Sequence, residues 1–265
     1  MRAALISIAT LLMAACSTAP SNQQAVADLA PTGKLRAAIN VGNAVLAARP
    51  ATPGGEPTGI SVDLARELAR RLGVPLQLVV FDAAGKVVDA GKTGSWDIAF
   101  VALDPKRAAE IAQSPPYVQI EGSYLVKNDS PLKSNDEVDR KGHRGVVGLN
   151  SAYDLYLTRE LKQAQIVRTP TSAQVVDTML KDNYEVSAGV KQALENDARR
   201  LPGVRLLPGR FMVINQAMAS QKGKEAGARY VREFVEEVKA SGFVAHSIDL
   251  HRQSSAVVAP PGDPK

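Results

Sequence analysis

The stretch from Trp96 to Tyr117, WDIAFVALDPKRAAEIAQSPPY, limits the fold more than any other part of the chain. Ile98 to Leu103 is an unbroken apolar run, as expected of a strand buried on both faces of an α/β sheet. Asp104-Pro105 breaks the run and starts a short helical turn, with proline in its first turn. Arg107 follows within that turn, and Pro115-Pro116-Tyr117 stops the element. A guanidinium just past the carboxyl end of a buried strand stands where open α/β sheets bind ligands. Its planar fork suits a carboxylate held through two parallel bonds. On these residues alone, Arg107 is either such an anchor or a solvated surface arginine.

The chain around this stretch alternates strand and helix. Leu35 to Val41 reads as a strand, and a Pro/Gly-rich loop follows from Arg49 to Gly59. In GISVDLARELARRLG, Leu64, Ala65, Leu68, Ala69 and Leu72 fall on one helical face. Ser61 is placed to cap that helix, Asp63 suits its first turn, and Gly73 ends it. The strand Leu76 to Val80 and a helix around Lys86 to Lys92 lead back to Ile98. A second α/β unit starts at Gly145 to Leu149, with Asn150-Ser151 capping a helix that carries Tyr153, Leu157, Leu161 and Ala164 on one face. The strands Ile166 to Arg168 and Val186 to Val190 complete it around a helix capped by Thr171-Ser172. Val204 to Leu207 and a strand from Phe211 to Ala219 return to the first unit, and a helix burying Tyr230, Val231, Phe234, Val235 and Val238 ends at Gly242. Such alternation predicts parallel sheet with right-handed crossovers.

The N-terminus reads as an export signal. Met1-Arg2 is followed by an apolar core, Ala3 to Ala15, too short to span a bilayer. It ends directly before Cys16, the single cysteine of the chain, so no internal disulfide and no cysteine-cluster metal site is possible. Residues 16–34 read as a flexible tether, and 254–265, Pro-rich, as a disordered tail. With 45% hydrophobic and 22% charged residues, the 265-residue chain has the composition of a globular protein. Its net charge of +5 is spread along helix faces with no basic stripe and interleaved aromatics, which argues against nucleic acid as partner. His143, His246 and His251 show no metal-ligand spacing, and no nucleophile elbow or phosphate loop is present. No cofactor or metal is expected.

Four stretches in this order, GISVDLARELARRLG, WDIAFVALDPKRAAEIAQSPPY, VVGLNSAYD and AGARYVREFVEEVKASGF, resemble the extracytoplasmic solute-binding proteins of polar-amino-acid ABC importers, solute-binding family 3. Met13-Ala14-Ala15-Cys16 resembles a bacterial lipoprotein signal, which implies a lipid on Cys16 and a periplasmic, membrane-anchored protein; an ordinary secretory signal is the alternative. The resemblance implies a type II periplasmic binding protein-like fold: two α/β lobes joined by a two-strand hinge. Lobe 1 is then 35–122 plus 211–253, and lobe 2 is 123–210. A monomer closing on a small carboxylate-bearing ligand and docking on an inner-membrane permease is the implied function.

The same resemblance assigns Arg107 to the ligand carboxylate, and Asn150, Ser151 and Ala152 to a helix start offering backbone N–H groups. Asn40, Asn43, Phe100 and Ala102 take first-lobe contact positions, and Tyr153 is a further contact or a core residue. In YEVSAGVKQALE, Val190-Lys191 stands where amino-acid-binding members carry an aspartate for the ligand ammonium. Lys191 is therefore either an added cation of an anion-rich cleft or a solvated lysine at a helix start. An amine-free carboxylate or a dicarboxylate suits such a cleft. Two rivals remain. One is a cyclohexadienyl dehydratase-like enzyme with Glu121 or Glu185 as acid, and the other is a ligand sensor for a membrane signalling partner.

Overall fold

A computed structural model describes residues 22–50 and 52–262. Its strands are β1 Leu35–Asn40, β2 Leu76–Phe81, β3 Ile98–Ala102, β4 Ile111–Lys127, β5 Arg144–Gly148, β6 Gln165–Thr169, β7 Val186–Val190, β8 Val204–Leu206, β9 Met212–Gln221 and β10 Val257–Val258. The helices are α1 Asn22–Leu29, α2 Ile60–Leu72, α3 Ala84–Gly91, α4 Pro105–Ala108, α5 Ala152–Glu160, α6 Val175–Lys181, α7 Lys191–Arg200, α8 Glu225–Ala240 and α9 Phe243–Leu250. Eight of these strands form one path, β2-β1-β3-β9-β4-β7-β5-β6, and β8 and β10 each pair with β4 off that path. Pairing is parallel within β2-β1-β3 and within β6-β5-β7, and antiparallel wherever β4 or β9 takes part. Two parallel α/β lobes are thus joined through the long antiparallel pair β4–β9.

Burial explains why β3 lies inside lobe 1. Every residue of β3 is buried, with Ile98, Phe100 and Ala102 packing into one core cluster and Ala99 and Val101 into another around Trp96. That division is the period-two alternation of a strand covered on both faces. Helix α2 buries Leu64, Ala65, Leu68, Ala69 and Leu72 as its spacing predicts, and Gly73 closes it in the left-handed conformation. Its cap is Gly59 rather than Ser61. At φ 131° a glycine is required there, and a Cβ would lie 2.5 Å from the Leu46 carbonyl oxygen. Ser61 is instead buried and shares a hydrogen bond of 3.2 Å with the Tyr117 hydroxyl.

Three expectations from the sequence are corrected. Pro115-Pro116 does not end a helix: α4 stops at Ala108, and both prolines lie within β4, where the register against β9 shifts. Proline donates no ladder bond, so the strand accommodates it at an irregularity. Residues 22–29 of the expected tether form helix α1, which buries Ala25 and Leu29 against α8 and accepts the Gly227 N–H on the Asp28 carboxylate at 3.0 Å. Much of the expected disordered tail is a strap. Val257–Val258 pairs with Val118 and Gln119 of β4, Ala256 and Ala259 are buried, and the Ser255 hydroxyl donates to Gln192 of α7. The export signal and Cys16 lie outside the described residues, and no described helix is long and apolar enough to cross a membrane.

Candidate functional site

The strand ends of the two lobes face each other across a cleft. Asn40 closes β1, Phe100 and Ala102 close β3, Gln216 lies on β9, and Ser151 and Val190 come from the opposite lobe. Ligand sites at the carboxyl ends of parallel strands follow from this topology, since side chains there emerge at the sheet edge free of ladder pairing.

Arg107 lines the cleft and is 2% exposed. Asp104 caps α4 by accepting the Lys106 N–H at 2.9 Å, which holds the turn that aims Arg107 inward. The guanidinium donates to the Ala102 carbonyl at 3.0 Å and, across the cleft, to the Asn150 carbonyl at 2.9 Å. It makes no ion pair among the described residues. Asp104, the acid beside it in sequence, is paired with Arg159 of the other lobe at 2.8 Å. Burial pushes the guanidinium down to about 10, and the field of Asp104 opposes that shift. Arg107 therefore remains charged at neutral pH, inside the protein, without a carboxylate of its own. A buried cation in that state is costly until an anion joins it.

The start of α5 is less open to an anion than expected. Asn150, at φ 55°, donates its N–H to the Asp154 carboxylate at 2.7 Å, and the Ser151 N–H goes to the Gly148 carbonyl. The Ser151 hydroxyl accepts the Asp154 N–H at 3.0 Å. Only the Ala152 and Tyr153 N–H groups are left by position, and Asp154 already places negative charge at this helix start. Ala152 does line the cleft, whereas Asn150 borders a separate hollow behind Arg107 that also includes Lys106. Tyr153 is buried, lines the cleft, and donates to the Ser172 hydroxyl at 2.6 Å, so it is core and wall at once.

Lys191 is not in the cleft. Its ammonium meets Glu121 at 2.8 Å beside the crossing strands, and the other oxygen of Glu121 takes Arg210 at 2.6 Å. As first residue of α7, Lys191 turns away while Val190, Ala193, Leu194 and Asp197 line the cavity. Those four positions share one helical face. The reading of Lys191 as an added cation of the cleft is corrected accordingly. Glu121 and Glu185 do not line the cleft either. Lys191 and then Arg210 hold the Glu121 carboxyl below its usual range, and Arg144 does the same for Glu185. Both are held ionised, the wrong state for a general acid.

On the first-lobe wall, Asn40 uses its side-chain oxygen to accept the Gly42 N–H at 3.0 Å. Asn43 keeps its Oδ1 buried and without a hydrogen-bond partner among the described residues. Phe100 stands edge-on to Tyr117 at 6.0 Å, fixing the apolar floor. The Ala102 carbonyl also accepts Gln113 Nε2 at 3.1 Å. Gln216, Ser61 and Asp197 also line the cleft and were not singled out as cleft residues from the sequence. Helical spacing from Val190 was the signal available for Asp197, and none marks the other two. His251 bonds Asp63 at 2.7 Å as a packing residue, and no group of three or more metal-ligating side chains occurs among the described residues.

The family model of the bacterial extracellular solute-binding proteins, family 3, matches residues 44–249. The chain belongs to this family. No curated protein matches the sequence. Among solved structures, the solute receptor for L-cysteine of Neisseria gonorrhoeae is similar at TM-score 0.75 and 18% identity, over 87% of this chain and 94% of the receptor. An amino acid ABC transporter substrate-binding protein of Streptococcus pneumoniae, bound to L-arginine, gives 0.72 and 19% over 86% and 98% of the two chains. An ancestral amino-acid-binding protein described as a precursor of cyclohexadienyl dehydratase gives 0.69 and 20% over 85% and 96%. At such identities the likeness shows the fold, the two-lobed type II architecture.

Proposed function

We propose that this family member is the extracytoplasmic receptor of an ABC importer, capturing a small carboxylate-bearing solute between its lobes and performing no chemistry on it. The observation that carries this reading is Arg107: buried, charged, aimed into the cleft and unmatched by any acid of the described residues. Lobe 1, from β1 to the start of the crossing strands and again from β9 onward, supplies that anchor. Lobe 2 closes over it through Asn150, Ser151 and the Asp104–Arg159 pair. Hinge motion about β4 and β9 is the closing movement. The close approach of Gly85 to Asn150, where a Cβ would come within 2.7 Å of the Asn150 Cβ, supports lobes that meet on closure. The protein acts as a monomer, exported to the periplasm and held to the membrane by a lipid on Cys16.

Binding without turnover is favoured over the dehydratase reading because neither Glu121 nor Glu185 reaches the cleft. The test is thermal unfolding of the full chain against a panel of small carboxylates and their amides. A solute bound only by the folded state raises the midpoint according to its occupancy. Midpoint rises for carboxylates and none for the matching amides are the expected result. Equal rises for acid and amide contradict the role given to Arg107.

A further inference from the structure

The crossing strands β4 and β9 carry four glutamines, Gln113, Gln119, Gln216 and Gln221, and the one that lines the cleft is the one whose amide makes no hydrogen bond among the described residues. We propose that the side-chain amide of Gln216 is a second binding group for the solute's carboxylate, donating an N–H to it beside Arg107. This rests on the reading of Arg107 as a carboxylate anchor and adds a neutral donor to that same site.

Three observations converge. The other glutamines of these strands donate within the chain, Gln113 to the Ala102 carbonyl at 3.1 Å, Gln119 to the Asn215 side chain at 2.8 Å and Gln221 to the Trp96 carbonyl at 3.0 Å. Gln216 is 5% exposed and stands on the core-facing row of β9, between Ile214 and Met218, which are both buried in the main apolar cluster. A polar group on such a row is costly without a partner. The Asn43 oxygen is sealed from the cleft, whereas the Gln216 amide lines the cleft and is not sealed. Gln216 also sits directly opposite Ala102 in the β3–β9 pair, whose facing side chains lie about 4.5–5.5 Å apart at Cβ. Ala102 carries the carbonyl that accepts Arg107 at 3.0 Å, so amide and guanidinium share one corner of the cleft. A carboxylate offers about four acceptor sites, more than one guanidinium fills. With no protein partner to orient it, the amide turns its N–H toward an anion placed there, because hydrogen bonds to a charged acceptor are the stronger ones.

The test is calorimetric titration of the full chain with L-alanine, L-glutamate, L-arginine, L-lactate, pyruvate and succinate, followed by the tightest of these on three variants. Gln216→Met keeps the length of the side chain and removes the donor. It should weaken binding by about tenfold or more, the loss of one hydrogen bond to a charged group. The ligand-free variant should melt at or above the unaltered midpoint, since no bond within the protein is lost; a lower midpoint marks a packing residue and contradicts the proposal. Gln216→Glu sets a carboxylate against the carboxylate of the solute and should weaken binding further than Gln216→Met. Tighter binding in Gln216→Glu overturns the proposal, because it shows an acceptor facing a donor of the solute. Native affinity in Gln216→Met, with binding lost in Arg107→Met, overturns the role of Gln216 and leaves the anchor standing. Native affinity in both variants, or no binding of any of the six acids to the unaltered protein, removes the anchor and this proposal together.

Discussion

The cleft around Arg107 and the cluster around Lys191 each hold a cation contributed from a strand's carboxyl end, yet the two are resolved in opposite ways. Lys191 is one-third exposed and meets Glu121, which also takes Arg210, so its charge is answered within the chain. Arg107 is almost wholly buried and, among the described residues, donates to only two carbonyl groups, one from each lobe. A position near the cleft therefore does not make a cation a ligand anchor. What separates the two is whether the fold supplies the counter-charge. Where it does, the pair braces the crossing strands; where it does not, the buried charge is the one we propose the solute's carboxylate meets.

The comparison breaks first at Arg107. Replacing it in Arg107→Met should weaken carboxylate binding about 100-fold or more, in line with the roughly 2–5 kcal/mol lost when one partner of a buried charged pair is removed. The unliganded protein should melt close to the unaltered midpoint, since an uncompensated buried charge is removed with the side chain. Titration calorimetry and melting curves read the two effects separately. Next in size is the strap. Ending the chain before Ser254 removes the β10 pairing and the burial of Ala256 and Ala259, and should lower the melting midpoint by about 2–4 °C, equivalent to about 1 kcal/mol in a chain of this size. Asp104→Asn breaks the cross-lobe pair with Arg159; because that arginine is nearly half exposed, affinity should fall only about fivefold, through faster dissociation in stopped-flow release.

The smallest effects belong to the hinge cluster. Lys191→Ala should leave affinity within about twofold, as expected for an exposed pair outside the cleft. Acid should act through Glu121, whose carboxyl is held below its usual range by Lys191 and then Arg210. A carboxyl depressed in the folded state adds stability above its unfolded pKa and loses it as pH falls through the folded one. The unaltered protein should thus melt slightly above Glu121→Gln at pH 7, with the gap shrinking below about pH 4.5. A gap that widens on acidification contradicts the assignment.

The alternation of strand and helix, the burial of β3 and the face of α2 were legible because each depends on local periodicity. So was the turn at Asp104-Pro105, whose cap and proline act within four residues. The role of Pro115-Pro116 was not, because a proline pair reads as a stop locally and becomes a strand irregularity only once β9 lies beside it. Helix α1 and the strap were missed for the same reason, their stability coming from α8, β4 and α7 rather than from their own small and polar residues. In the cleft, the stretch around Arg107 left two readings open, and it was the resemblance to the solute-binding family that pointed to the cleft, which Arg107 lines. Whether Lys191 pointed in or out turned on Glu121, seventy residues away, and no local signal carries that.

The most direct measurement is one calorimetric series on the full chain, using the carboxylate that raises the melting midpoint most, with the unaltered protein, Arg107→Met and Lys191→Met side by side. The account predicts loss of binding of about two orders of magnitude for Arg107→Met and near-native affinity for Lys191→Met. Equal affinity in all three, or a larger loss at Lys191 than at Arg107, contradicts it.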